Sequence, residues 1–514
     1  MCEFDADVVI SGAGPSGLIV GAEAALGGAK VLILEKRNGP TWSRAGTLAP
    51  RVMEIFASRG IADVFVKRAL ELHSDPYSRD GIWAGLPRGS RANIDSDYPY
   101  VMMFPQLETE RILAEHFRSL GGDIRLNSEV AGVEQDADGV TVTYNDEGGE
   151  KQVRGRYLVG ADGNRSAVRE AAGITRTGTP ARRVAVNVDA FVENPYDKPL
   201  TVSHNENGWA MTYPLRNGVT RFAFIDAATM NETPDRPLEL EDAKAMLRRV
   251  HGTDYGITKV DAINRFHDAL YMADRIRDGR IFLVGESVRV HYPASGVGMN
   301  FCIQDGFNLG WKLAAAVTGR ARDGLLDTYV TERIPEIKAL LDQVQVQTAI
   351  QFGFDPEHIA LKDFIEHQVL SSPDISRKIS EYLSGLTAHY PSPEGSAEIV
   401  GQRLANLTVT NTAGGEANIF ELLRGQDFLL IDLTGRAELP AVDPAMRLKV
   451  AAAETGDRAA LAGLSTLLIR PDGHVAWASD RALDEHRPEA EIREWLNLTS
   501  DRPVLLASAA TVAA

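Results

Sequence analysis

Near the N-terminus the apolar residues fall into two short unbroken runs, Val8-Val9-Ile10 and Val31-Leu32-Ile33-Leu34. Runs of this length without alternation read as strands buried on both faces, the pattern of a parallel sheet. Between them lie a glycine-rich turn and a helical segment rich in Leu, Val and Ala, so residues 7–34 predict a strand, a helix and a second strand. Residues 70–100 are irregular and rich in Pro, Asp and Arg, and 103–120 return to helix. Residues 123–160 alternate as strands, and a β-rich stretch runs from about 183 to 270, with WAMTYPL and VTRFAFID as its clearest strands. A further strand at 280–285 leads into a loop with one Pro and two glycines. A helical pattern through Phe307, Leu309, Trp311 and Leu313 follows. Residues 321–350 predict one long helix, and YPSPEGS at 390–396 reads as a linker before a smaller α/β region.

Composition narrows this picture. At 514 residues the chain is long enough for about three domains. Its 44% hydrophobic and 24% charged content is that of an ordinary globular protein. A formal net charge of -17 argues against a nucleic-acid or anionic-membrane partner. Two cysteines, Cys2 and Cys302, are too few for a disulfide framework or a thiolate metal site, and no metal is expected. The first residues show no signal-peptide pattern, and no stretch reaches the roughly 18 apolar residues of a membrane span. A cytoplasmic enzyme is the expectation, and a homo-oligomer is left open.

The turn between the first strand and helix is Gly12-Ala13-Gly14-Pro15-Ser16-Gly17, a GxGxxG in the strand–helix–strand context that dinucleotide binding requires. Gly12 allows the tight turn, Gly14 lets the backbone approach a diphosphate, and Gly17 lets the helix pack close. The helix N-terminus then faces the diphosphate. Glu35, at the tip of the second strand, can accept hydrogen bonds from both hydroxyls of an adenosine ribose. A long dinucleotide such as FAD has a far end. Glu286 at a later strand tip could bond its ribityl chain, while Gly296 and Gly298 admit the ring close to backbone. A helix starting near Met299 aims its positive end at the ring.

With these residues in view, the sequence resembles the single-component flavoprotein aromatic hydroxylases. GAGPSG resembles that family's FAD fingerprint. LVGADGNRSAVR, with Asp162-Gly163, resembles its second motif, and GESVRVHYPASGVGMN resembles its third. STLLIRPDGHVAWAS extends the likeness to the thioredoxin-like tail of the aromatic polyketide-tailoring branch, here without CxxC. Three positions depart from the pattern: Glu286 stands for the usual Asp, Arg289 for a His, and Val297 for a common Gln.

The resemblance implies an α/β fold: a Rossmann-like FAD-binding domain with an interleaved β-sheet substrate domain and a C-terminal thioredoxin-like domain. The expected division is 1–180 (with an excursion near 70–105), 181–275, 276–390 and 397–514. It implies tightly but non-covalently bound FAD, transient NADPH and O2, with hydroxylation of a polycyclic aromatic small molecule through a flavin C4a-hydroperoxide. The cofactor residues it indicates are Gly12, Gly14, Ser16, Gly17, Glu35, Lys36, Arg44, Gln106, Asp162, Glu286, Pro293, Gly296, Gly298, Met299 and Asn300. Arg44 and His291 are the candidate catalytic residues, though an ordinary hydrogen-bonded histidine is the plainer account of His291. Trp209, Met211, Tyr213 and Phe224 are candidates for the substrate pocket, the first three on one strand face by alternation. Baeyer–Villiger insertion, epoxidation, or flavin binding without oxygenase activity are the alternatives.

Overall fold

A computed structural model describes residues 4–39, 45–193, 200–216, 218–435, 439–442, 446–453, 458–483, 485–486, 488–497 and 504–505. Its centre is a sheet in which five strands run parallel, in the order Ile281–Leu283, Gly149–Gly160, Ala6–Ser11, Val31–Leu34 and Asp123–Arg125. The strand Ala6–Ser11 lies in the middle, and Val8, Val9 and Ile10 are fully buried, as an unbroken apolar run requires. The helices Pro15–Leu26 and Gly298–Val317 cross in close contact. A methyl group on Gly306 or Gly310 would lie 2.4 Å from Ile19 or Glu23, respectively. Two segments nearly 300 residues apart in sequence thus build one layer.

The region read as irregular holds a hairpin, Asp80–Trp83 with Leu86–Ser90. The helix expected from residue 103 begins later, at Gln106–Ser119, because Val101–Met103 pairs as a strand and Pro105 takes the N-cap. The long helix forms as Asp327–Gln351 and keeps Pro335 inside it.

A second, antiparallel sheet has the order Thr201–Asn205, Gly208–Arg216, Val219–Asp226, Val184–Val192 and Ile257–His267. One face is covered by the helix Leu240–His251. The other packs Ala185, Trp209, Ala223 and Ile225 against Tyr292, Ala294, Val297 and Phe301 of the first domain's loop and helix. Beyond residue 400 a six-stranded sheet contains one parallel pair, Phe428–Asp432 with Leu448–Ala452. This last unit is joined to the first by buried charge. Arg59 forks onto Glu23 at 2.7 and 2.8 Å and also donates to the carbonyls of Leu423 and Pro471. Arg470 pairs with Glu332 at 2.6 Å, and Lys312 shares that carboxylate at 2.7 Å. Among the described residues no helix is long and apolar enough to cross a membrane.

Candidate active site

The carboxyl ends of the parallel strands form one edge, and the three motifs meet there, where ligands of open α/β sheets bind. Gly12 has φ +104, and a methyl group on it would strike the Ala161 carbonyl oxygen at 2.5 Å. At Gly17 the same methyl would lie 2.0 Å from the Gly12 carbonyl oxygen, so the helix sits directly on the turn. Gly14, the N-cap between them, has no atom within 4 Å of a Cβ. The backbone is closed on both sides and open at the one residue where a diphosphate would approach. Ser16 is buried beneath Gly285, whose added methyl would meet the Ser16 Oγ at 2.3 Å. The first and third motifs are therefore in contact.

Glu35 is buried and turned back toward the turn. It accepts the Ala13 N–H at 2.7 Å and the Arg37 N–H and Nε at 2.9 and 2.8 Å. Burial alone would raise its pKa, but the bonds from Arg37 and the two amides bring it below the usual carboxylate value. Lys36 points elsewhere, to Glu129 at 3.7 Å, and takes no part in this arrangement. Sequence reading passed over Arg37, which does.

Asp162 caps the next turn. One oxygen accepts the Val168 N–H at 3.1 Å, and the other accepts the Ser287 hydroxyl at 3.1 Å. The Gly163 N–H donates to Ser287 Oγ at 3.2 Å, and Arg169 donates to the Ser287 carbonyl at 3.1 Å. Ser287 thus ties the second motif to the third, a role no local signal announced. Glu286 beside it is exposed at the strand tip, close to Gly163. Arg289 does not face this edge. It is buried and paired with Asp305, which also accepts Arg333 at 2.8 Å. The Arg that replaces the family's His is absorbed by a buried ion cluster.

The helix Gly298–Val317 starts one residue before the expected point, with Met299 buried and Pro293 and Gly296 exposed beside it. The Asn300 side chain accepts the Ala49 N–H at 2.7 Å and donates to the carbonyls of Thr47 and Gly296. Its side chain thus braces the loops rather than reaching outward. Gln106 accepts the Ala45 N–H at 3.1 Å and donates to Glu110 at 2.8 Å. Arg44 lies outside the described residues. His291 is half-buried, bonds the Tyr292 carbonyl at 2.7 Å, and has its pKa brought down to about 4 by burial, so it is neutral at pH 7.

Trp209, Met211 and Tyr213 do share one face of the second sheet, toward the first domain. Trp209 donates to the Gly85 carbonyl at 2.8 Å, and the Tyr213 hydroxyl lies against Gly46. Phe224 does not join them. It pairs across from Ala210 and packs under the helix Leu240–His251, on the far face. Its strand is buried along its whole length, so hydrophobicity carried no information about side.

The open cradle at Gly14, the carboxylate at Glu35 and the helix N-terminus at Gly298 fit a molecule with a diphosphate, a ribose and a distant ring. The FAD binding domain family matches residues 5–344, and the aromatic-ring hydroxylase C-terminal family matches 397–499. The chain belongs to the FAD-dependent aromatic hydroxylases and is a flavin-dependent monooxygenase with NAD(P)H and O2 as co-substrates. It is 35% identical to a rifampicin monooxygenase of Streptomyces venezuelae over 92% of this chain and 96% of that one. The solved structure of the anhydrotetracycline hydroxylase OxyS from Streptomyces rimosus superposes with TM-score 0.82, at 31% identity, covering 96% of this chain and 100% of the other. A dialkyldecalin synthase of Streptomyces rugosporus is 31% identical over 91% of this chain and 95% of its own length.

Proposed function

We propose that this monooxygenase hydroxylates a polycyclic, polyketide-type aromatic substrate, with NADPH as the reductant. The observation that carries the reading is the stacking of an apolar face, Trp209 and Met211, over the loop Pro293–Gly298 at the end of the FAD cradle. Bound FAD would supply the hard chemistry, delivering one atom of O2 to an electron-rich carbon. The chain's own residues hold and shield it. Gly14 and the helix Pro15–Leu26 receive the diphosphate, Glu35 the ribose, and Glu286 with the Asp162–Ser287 pair the ribityl side. Trp209, Tyr292, Val297 and Phe301 pack into one apolar cluster behind the loop Pro293–Gly298, which would keep water from that side of the ring. Tyr213 and its cross-strand neighbour Arg221, itself paired with Asp189 at 2.6 Å, give that apolar face one polar end. The rifampicin and anhydrotetracycline enzymes named above motivate the substrate class.

The test is NADPH oxidation by purified holoenzyme with a panel of polycyclic phenols that includes anhydrotetracycline and rifampicin. NMR of the product formed under labelled O2 separates hydroxylation from Baeyer–Villiger insertion or epoxidation. Absence of any stimulated NADPH oxidation across the panel would sink the reading.

A further inference from the structure

A carboxylate has four lone-pair positions, and at Glu35 four protein donors address them. Oε1 accepts the Arg37 N–H at 2.9 Å and Arg37 Nε at 2.8 Å. Oε2 accepts the Ala13 N–H at 2.7 Å and Arg37 Nη2 at 3.3 Å. Two of these donors are main-chain amides, held by the turn and by the strand end. The other two belong to one side chain and fall one on each oxygen. The 2′- and 3′-hydroxyls of a ribose would make the same demand, one donor to each oxygen.

We propose that Arg37 is a displaceable guard of the ribose carboxylate: an adenosine ribose bonds both its hydroxyls to Glu35 only by replacing the two guanidinium donors one for one. The Arg37 side chain is a third exposed, so it has solvent to move into. Glu110, buried on the helix Gln106–Ser119, adds its negative charge to that of Glu35 in acting on Arg37. The Lys36 ammonium makes no contact with Glu35; it lies on the outer side, 3.7 Å from Glu129. The guard sets selectivity by cofactor half. A ligand carrying an adenosine diol must overcome it, whereas FMN, which lacks the adenosine, never meets it.

The experiment is equilibrium titration of the apoprotein with FAD and separately with FMN, read by flavin fluorescence, for wild type, Arg37→Met, Glu35→Gln and the double variant. Losing one charged, forked contact that competes with the ligand is worth about a tenfold gain. Arg37→Met is therefore expected to bind FAD about tenfold more tightly and FMN unchanged. In the Glu35→Gln background the Arg37 substitution is expected to have no effect. Thermal melting confirms that each variant is folded, and Arg37→Lys, which keeps charge but loses the fork, is expected to tighten FAD binding in the same direction. Unchanged or weaker FAD binding by Arg37→Met, or an equal shift for FMN, would overturn the proposal. No substrate turnover enters the measurement, so its outcome is separate from that of the proposed hydroxylation.

Discussion

One added side chain at Gly14 and one at Gly17 should have opposite consequences, although the residues are three apart in one turn. Gly14 has φ -74 and ψ 176, a region that valine favours, and a Cβ there meets nothing within 4 Å. Gly14→Val should therefore cost folding no more than about 1 kcal/mol, the scale of an N-cap change. Its side chain would, however, stand in the open space beside the main-chain amides of the turn. Two charge-assisted bonds to a diphosphate, at about 1.5–3 kcal/mol each, would be lost, about a hundred- to ten-thousandfold in FAD affinity. Gly17→Ala places a carbon 2.0 Å from the Gly12 carbonyl oxygen. Relief would need the helix Pro15–Leu26 to lift. Gly306 and Gly310 already bring the crossing helix within 3 Å of its backbone where a methyl would sit, so a shift disturbs both layers. That substitution should cost about 3 kcal/mol or more in stability. The assay is paired: melting temperature of the apoprotein and FAD titration by fluorescence quenching. A folded Gly14→Val protein with wild-type FAD affinity, or a Gly17→Ala protein as stable as wild type, would refute the reasoning.

Glu286→Asp should preserve FAD binding and Glu286→Ala weaken it about tenfold or more, through loss of charge-assisted bonds to ribityl hydroxyls; if Ala binds as tightly as wild type in the same titration, Glu286 does not touch the cofactor. Asp162→Ala should slow flavin reduction by NADPH more than it lowers the melting temperature, because Asp162 organises the turn shared by two motifs through Val168 and Ser287; stopped-flow reduction at the wild-type rate would contradict this. Burial alone would raise the Glu332 pKa, but Arg470 and Lys312 hold it down to about 2, against an ordinary value of 4.5. A depressed carboxylate contributes stability fully above its unfolded pKa and loses it as pH falls through the folded one, so tryptophan fluorescence should report loosening of the C-terminal unit between about pH 4.5 and 2. Glu332→Gln should remove that acid-sensitive step. A chain ending at residue 396 should melt lower than the full chain, since the pairs Arg59–Glu23 and Lys312–Glu332 keep each other but lose their partners Leu423, Pro471, Gln426 and Arg470. A soluble truncated protein with a wild-type melting temperature would show that the C-terminal unit is dispensable.

What the sequence by itself determined was local. Val8 to Ile10 and Val31 to Leu34 could only be buried strands, and GxGxxG between strand and helix left one conformation in which Gly12 turns, Gly14 opens and Gly17 packs. Glu35 followed from its place at a strand tip. These features depend on backbone sterics and short-range periodicity, both of which are written in neighbouring residues. The tertiary structure decided everything that depends on which surfaces meet. It put Phe224 beneath a helix, because a strand buried on both faces carries no alternation to show its inner side. It paired Arg289 with Asp305 and Arg333, and Ser287 with Asp162, partners up to 125 residues apart that no spacing rule connects. It turned Lys36 outward to Glu129 and Arg37 inward to Glu35, a choice between adjacent cations that only the position of the neighbouring strands and turn could make. A charge declares its presence in sequence, but its partner is set by desolvation and geometry after the sheets and helices have packed.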